Sequence, residues 1–169
     1  MQSVNVTFPS STGSAIAGTI DFPSSPPRAF ALFAHCFAGS RQTPGASRVC
    51  KQLAQRGIAA LRFDFPGLGQ SEGDFADTSF SQNIADIQAA AIWLSQNYSA
   101  PQLLIGHSLG GAAALAAAPA MESIKAVATI GAPFDPAHSV LHFADKISDA
   151  DRYGEVEVVL GGRTLTISR

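Results

Sequence analysis

One run of five residues in this chain, Gly106-His107-Ser108-Leu109-Gly110, has the types and spacing to do chemistry. It fits G-x-S-x-G, the pattern of a nucleophile elbow, in which a serine occupies a sharp turn from strand into helix. The glycines have a steric purpose, because a side chain on either flank of so tight a turn would strike the neighbouring strand or helix. Ser108 is read as the nucleophile of an acyl transfer; the competing reading is a serine that merely caps the alanine-rich segment after it. Acyl transfer places negative charge on a carbonyl oxygen and needs preorganised N–H donors aimed at it. The expected donors are the backbone N–H of Leu109, directly after the serine, and that of Phe37, within His35-Cys36-Phe37-Ala38-Gly39.

A serine hydroxyl also needs a base to take its proton. The chain has four histidines, His35, His107, His138 and His142. His107 adjoins the serine on the tight turn and is expected to point away from its hydroxyl and pack on the sheet. His35 is expected to orient the oxyanion loop rather than to move protons. Asp135 and His138 lie three residues apart, which suits one helical turn, and they form the remaining acid–base pair; a structural or surface role is the competing reading. The loop Asp64-Phe65-Pro66-Gly67-Leu68-Gly69-Gln70-Ser71-Glu72-Gly73 is no dinucleotide fingerprint, since Glu72 stands where G-x-G-x-x-G needs a third glycine and would repel a pyrophosphate. It also lacks G-K-[ST] and reads as a structural turn at the rim of the site.

These residues require elements to hold them. Val4, Val6 and Phe8 alternate, a turn follows at Ser10–Ser14, and Ile16, Gly18, Ile20 and Phe22 return, which predicts an antiparallel hairpin. Ala29–Ala34, Ile58–Phe63, Leu103–Ile105 and Ala126–Ile130 are continuous apolar runs, as expected of parallel strands buried on both faces. Helices are predicted between them. One has Thr43 as N-cap, Pro44 in its first turn, Val49, Leu53 and Ala54 facing inward, and Gly57 at its end. A second starts at a capping box of Ser79 and Gln82, and a third runs from Ser108 to about Ala118. Strand–helix alternation predicts an α/β fold with a mostly parallel sheet, whose site lies beyond the carboxyl ends of the strands. A C-terminal β-hairpin is predicted from Glu155–Leu160 and Arg163–Ile167 flanking Gly161-Gly162.

With 169 residues, 46% of them apolar and 14% charged, the chain suits a single domain with a sizeable core and not a disordered segment. A net charge of -2 gives no electrostatic reason for nucleic acid or an anionic membrane as partner. No apolar run reaches the length of a membrane span and no signal peptide opens the chain, so the expected location is cytoplasmic. Cys36 and Cys50 are too few for a disulfide framework and are expected as free thiols.

In order along the chain, His35-Cys36-Phe37, Arg62-Phe63-Asp64-Phe65, Gly67-Leu68-Gly69-Gln70-Ser71-Glu72-Gly73, Leu104-Ile105-Gly106-His107-Ser108-Leu109-Gly110-Gly111 and Ile130-Gly131-Ala132-Pro133 resemble the α/β-hydrolase superfamily, in its serine-aminopeptidase-like group. The H-C-F loop, the segment Gly131 to His138 and the Gly161-Gly162 hairpin are similar, more narrowly, to the hydrolase half of bacterial proteins fused to an OsmC-like domain. The resemblance implies hydrolysis of an ester, thioester or amide of a small-molecule acyl substrate through an acyl-serine intermediate, with no metal or cofactor. Two departures stand out. Cys36 replaces the glycine usual in the family's oxyanion loop, and the family's acid and histidine, with their strands, have no counterpart here. The expectation is therefore a partial, C-terminally truncated α/β-hydrolase domain, with residues 1–134 as core and 135–169 as the start of an insertion. Activity would then be crippled, and the alternative is a non-catalytic ligand-binding or interaction module on the same fold. Truncation would also leave Ala126–Ile130 as an apolar sheet edge open to self-association.

Overall fold

The computed structural model describes residues 1–135, 154–160 and 163–168. Its centre is a six-stranded sheet of spatial order β1-β2-β4-β3-β5-β6, from β1 (Gln2–Pro9), β2 (Ala15–Phe22), β3 (Ala29–Ala34), β4 (Ile58–Phe63), β5 (Leu103–His107) and β6 (Ala126–Ile130). The first two strands form the expected hairpin, and β2 continues antiparallel onto β4. From β4 through β3 and β5 to β6 every pairing is parallel, so the sheet is mostly parallel with an antiparallel N-terminal edge.

Helices cover both faces. α1 (Pro44–Gln55) packs Ala46, Cys50 and Ala54 against Ala31, Phe33, Ala60 and Ile105. The helix lies where predicted, but its most buried face is set by these small residues, while Val49 and Leu53 flank it. Thr43 sits at the N-cap position without capping; its hydroxyl accepts instead from the Ser40 N–H at 3.0 Å. On the opposite face α2 (Phe80–Asn97) and α3 (Leu109–Ala117) share the larger core, in which Ile87, Leu94 and Ala113 pack with Leu32, Leu61 and Leu104. Ser79 caps α2 by accepting from Gln82 N–H at 3.1 Å. The reciprocal half of the predicted capping box is absent, because the Gln82 amide turns away to donate to Ser11 Oγ. That hydroxyl and its own N–H both donate to the buried Asp86 carboxylate, at 2.6 and 3.0 Å, and so clasp the hairpin turn to α2.

One strand differs from the expectation of burial on both faces. Ala126, Ala128, Thr129 and Ile130 of β6 are exposed, because β6 is the outer strand and pairs only with β5 among the described residues. The C-terminal hairpin, β7 (Glu155–Leu160) with β8 (Arg163–Ser168), forms a separate antiparallel pair. Val156 packs against the larger core, and β8 lies against a single 3-10 turn at Phe75–Asp77. The Gly161-Gly162 turn predicted between these strands lies outside the described residues.

Candidate active site

The chain order places three loops at one end of the sheet. β3 and β5 are parallel neighbours, yet β4 and α1 follow β3 on one side and α3 follows β5 on the other. Such a reversal of strand order opens a crevice at the carboxyl ends of the strands. The loops leaving β3 (residues 35–43), β4 (residues 64–74) and β5 (Ser108) meet there.

Ser108 is the one residue other than glycine with positive φ among the described residues, at φ 53° and ψ -125°. Such a conformation costs an L-residue on the order of 1–3 kcal/mol and persists only where the surroundings impose it. They do so here through the backbone. The Ser108 N–H donates to the Ile130 carbonyl at 2.8 Å, and its own carbonyl accepts from Gly111 N–H at 2.8 Å. The hydroxyl makes no capping bond to α3, so the helix-cap reading of this serine has no hydrogen bond behind it. The glycines earn their place by contact. A Cβ on Gly106 would strike the Gly110 carbonyl, one on Gly110 would strike the His35 carbonyl, and one on Gly111 would come within 2.8 Å of the Ala132 side chain. Strand, turn and helix thus approach more closely than any side chain permits.

The β3 loop is held by polar groups instead. His35 is buried; its Nε2 accepts from the Phe65 N–H at 3.1 Å, so Nδ1 carries the proton and donates to the Cys36 carbonyl at 2.6 Å. With both nitrogens engaged, the ring ties the β3 loop to the β4 loop. The Cys36 carbonyl also accepts from Gly39 N–H at 2.9 Å, closing a turn over Phe37 and Ala38 in which a Cβ on Gly39 would meet Cys36 Sγ at 2.8 Å. At the far end of the loop, Arg41 N–H donates to the fully buried Asp64 carboxylate at 2.5 Å, and the Arg41 guanidinium pairs with the same group.

Asp64 also organises its own loop. Its carboxylate accepts from Gln70 N–H at 2.9 Å, its carbonyl accepts from Ser71 Oγ at 2.6 Å, and Gly69 (φ 57°) sits where a Cβ would overlap the carboxylate. The residues that look like a phosphate loop thus close around a buried anion, and Ser71 and Glu72 bind them to β2 through Ala17 N–H at 2.9 Å and the Ala15 carbonyl at 2.8 Å. Behind them, Arg62 pairs with Asp21 at 2.8 Å and donates to the Arg41 carbonyl at 2.7 Å, while Arg41 Nε donates to Thr19 Oγ1 at 3.1 Å. This buried web is absent from the functional reading of the sequence. Its signal was present in Asp21, Arg62 and Asp64, charged residues in or just after strands that are otherwise apolar.

Between the loops lies a pocket of about 260 Å³, open solvent at its mouth included. Phe37, Phe65, Leu68, Phe75 and Leu109 supply its apolar lining, and Thr78 and Asn83 its polar one. Both residues expected to provide oxyanion donors, Phe37 and Leu109, therefore border one cavity. Leu109 opens α3, where an N–H has no intrahelical carbonyl to reach.

The expected acid–base pair is not brought to Ser108 by anything described. Asp135 is exposed beyond β6, and His138 and His142 lie outside the described residues. His107, half-buried, ends β5 opposite Ile130. Both cysteines are unpaired, Cys36 half-buried and Cys50 fully buried, and burial pushes the Cys50 thiol up to about 12. The described residues contain no cluster of His, Cys, Asp or Glu suited to a metal, and no described helix is long and apolar enough to cross a membrane.

Known proteins resemble this chain in fold or in sequence. The esterase domain of a Rhodothermus marinus protein is 43% identical, with TM-score 0.72 over 99% of this chain and 65% of that one. An α/β serine hydrolase without a lid from Xanthomonas campestris is 24% identical, with TM-score 0.70 over 79% of this chain and 62% of that one, and speaks for the fold alone. Mitochondrial palmitoyl-protein thioesterase ABHD10 of rat and of mouse is 38% identical over 82 residues, which is 48% of this chain but only 25% of those proteins. The chain thus spans less than two thirds of the esterase domain, and the thioesterase match a quarter of that enzyme. The serine aminopeptidase S33 family matches residues 25–152, a stretch that takes in all three loops and the helices between them, and the chain belongs to that family of α/β-hydrolases.

Proposed function

We propose that this chain carries the nucleophile and the oxyanion donors of a serine hydrolase acting on an ester, thioester or amide of a small-molecule acyl compound. One observation carries the reading: Ser108 is held at φ 53° with its hydroxyl unused by the helix it precedes. Strain of that kind gathers where a side chain must be presented to a ligand. In the proposed reaction Ser108 Oγ attacks the substrate carbonyl and its proton passes to a base. The N–H groups of Phe37 and Leu109 hold the oxyanion, and the C–O, C–S or C–N bond then breaks. Water later attacks the acyl-serine ester and returns the serine. The relatives named as esterases and as a thioesterase favour this class of reaction.

The base is the incomplete part. Both nitrogens of His35 are engaged, and no described acid–histidine pair reaches Ser108. Within the proposal the chain is a core of residues 1–134 with an insertion beginning at 135, and it turns over slowly. Losing a triad base typically costs several orders of magnitude, while the oxyanion site and binding retain some catalysis. The same observation favours a second reading, a non-catalytic ligand-binding module. An alkyl fluorophosphonate and a p-nitrophenyl ester separate the two. The hydrolase reading expects slow labelling and turnover that vanish in Ser108→Ala; a binding module gives saturable ligand binding with neither. If Asp135 and His138 supply the base, labelling is fast and disappears in His138→Ala.

Two further elements belong to the proposal. Unpaired cysteines suit a reducing compartment such as the cytoplasm. The exposed apolar strand β6 suits pairing with a second chain; a monomer at all concentrations in size-exclusion chromatography would remove that element.

A further inference from the structure

The pocket is lined mostly by apolar and aromatic side chains. Phe75 meets Phe37 edge to face, with ring centroids 5.0 Å apart and planes at 77°, and Phe65, Leu68 and Leu109 extend that surface. Besides His35, whose two nitrogens are engaged, two polar side chains border the same space, Thr78 and Asn83. The Thr78 hydroxyl spends its proton within the fold, donating to the Phe75 carbonyl at 2.7 Å. The Asn83 carboxamide makes no hydrogen bond among the described residues.

Other side-chain amides are used differently. Gln82, the preceding residue, donates to Ser11 Oγ, Gln70 Oε1 accepts from Arg41, and Asn97 Nδ2 donates to the Trp93 carbonyl at 2.9 Å. Asn83 is also out of keeping with its helix. It stands one turn before Ile87 and two before Ala90, both fully buried, and so heads the stripe that α2 presents to the core. A leucine would suit that position better, because Asn has the poorer helix propensity and a polar end to satisfy. The helix start does not need it, since Ser79 caps α2 and the Asn83 N–H already donates to the Ser79 carbonyl at 2.9 Å.

The consequence arises when a ligand enters. Water can serve the half-buried amide of the free chain. An apolar ligand displaces that water and leaves the amide unpaired at a cost in free energy, whereas a ligand with an oxygen of its own restores the bond. No lining side chain carries a fixed charge to pair with an ionised group, so the oxygen belongs to a neutral one.

We infer that the substrate carries, beside its reacting carbonyl, a second neutral oxygen (an ether, hydroxyl or amide carbonyl) that accepts from Asn83 Nδ2, and that Asn83 is the residue selecting for it. The inference rests on the substrate lying in this pocket with its carbonyl held by Phe37 and Leu109, as proposed above.

The test compares isosteric p-nitrophenyl esters with the full chain: methoxyacetate against butyrate, 3-methoxypropanoate against pentanoate, and 4-methoxybutanoate against hexanoate. Each ether oxygen replaces one methylene, so size and intrinsic reactivity cancel when the ratio of kcat/KM within a pair is compared between wild type and variant. Asn83→Leu should lower that ratio by about tenfold at the one ether position that reaches the amide. Asn83→Ala, which suits a helix equally well, covers the case in which the leucine variant does not fold. The pair of 2-methoxyethyl acetate and butyl acetate makes the same comparison for an oxygen carried on the alcohol. An even fall across all pairs would report only a more apolar wall and would overturn the inference. Unchanged ratios with measurable turnover would also overturn it and leave the hydrolase reading standing. The matching ketones, such as 1-methoxy-2-propanone against 2-pentanone, read as binding by NMR titration, do not depend on turnover. A preference for one ether ketone that both variants abolish, without any hydrolysis, would uphold the inference and remove the hydrolase reading.

Discussion

The two sides of the crevice are held in place by opposite means. The elbow side, residues 106–111, owes its shape to missing side chains: glycines let β5, the turn and α3 close on one another and on the β3 loop, and its polar fastenings among the described residues run through the backbone. The facing side, residues 35–41 and 64–73, owes its shape to buried charge, with Asp64 gathering Arg41 and Gln70 while Arg62 and Asp21 pair behind them. Steric closure fixes one geometry rigidly at small cost, because nothing polar has been desolvated. A buried ion pair must offset a desolvation penalty, and removing one partner leaves the other uncompensated. The elbow should therefore fail to added size alone, whereas the facing loops, closed around Gly67 and Gly69 as well, should fail to added size and to loss of charge.

The largest departure is expected on the charged side. Asp64→Ala strands the Arg41 guanidinium and should cost about 3–5 kcal/mol in urea denaturation. Where the variant still folds, the loop carrying Phe37 loosens as well, so turnover should fall by about a further hundredfold. A loss below about 1 kcal/mol would make the two sides alike and end the contrast. Next comes Gly110→Ala, which drives a methyl group into the His35 carbonyl and should cost about 2–3 kcal/mol, more than a single added methyl usually does at a site that can yield. Ser108→Gly goes the other way: it removes the φ penalty and should stabilise the chain by about 1 kcal/mol while ending turnover. A destabilised Ser108→Gly would mean that the serine is not strained.

The smallest effect concerns Cys50, which packs from α1 against the charged side. Its thiol is raised from 9.0 to about 12, first by burial, then by the Asp21 charge, with Arg62 opposing. The folded state therefore holds this proton more tightly than the unfolded chain does. Its contribution is fully present below pH 9 and declines as pH rises from there through about 12, because only the unfolded chain ionises in that window. Under native conditions at pH 8 a thiol reagent should modify the half-exposed Cys36 and spare Cys50; equal labelling of both would show that α1 opens readily.

Much of the scaffold is legible in the sequence. β3, β4 and β6 occupy the predicted residues, because short, mostly apolar runs between helical segments have few other solutions. The capping box at α2 was half readable: Ser79 caps as expected, but Gln82 finds a better partner in Ser11, brought near only by the hairpin. Thr43 marks the start of α1 yet bonds to Ser40, again because the β3 loop curls back on it. The buried web around Asp64 was not readable as a site element, since its members lie on β2, on β4 and in two separate loops.

What the sequence by itself determined is local. Glycines at 106, 110 and 111 mark a turn with no room for side chains, and the period of the apolar residues determines strand or helix around it, because both depend on residues within a few positions of one another. Only the tertiary structure decided that Ser108 is strained and leaves its cap unused, that His35 spends both nitrogens on joining two loops, and that Phe75 meets Phe37 in the lining of the pocket. Each of these depends on groups dozens of residues apart whose meeting follows from the order of strands in the sheet, and that order is a property of the packed whole.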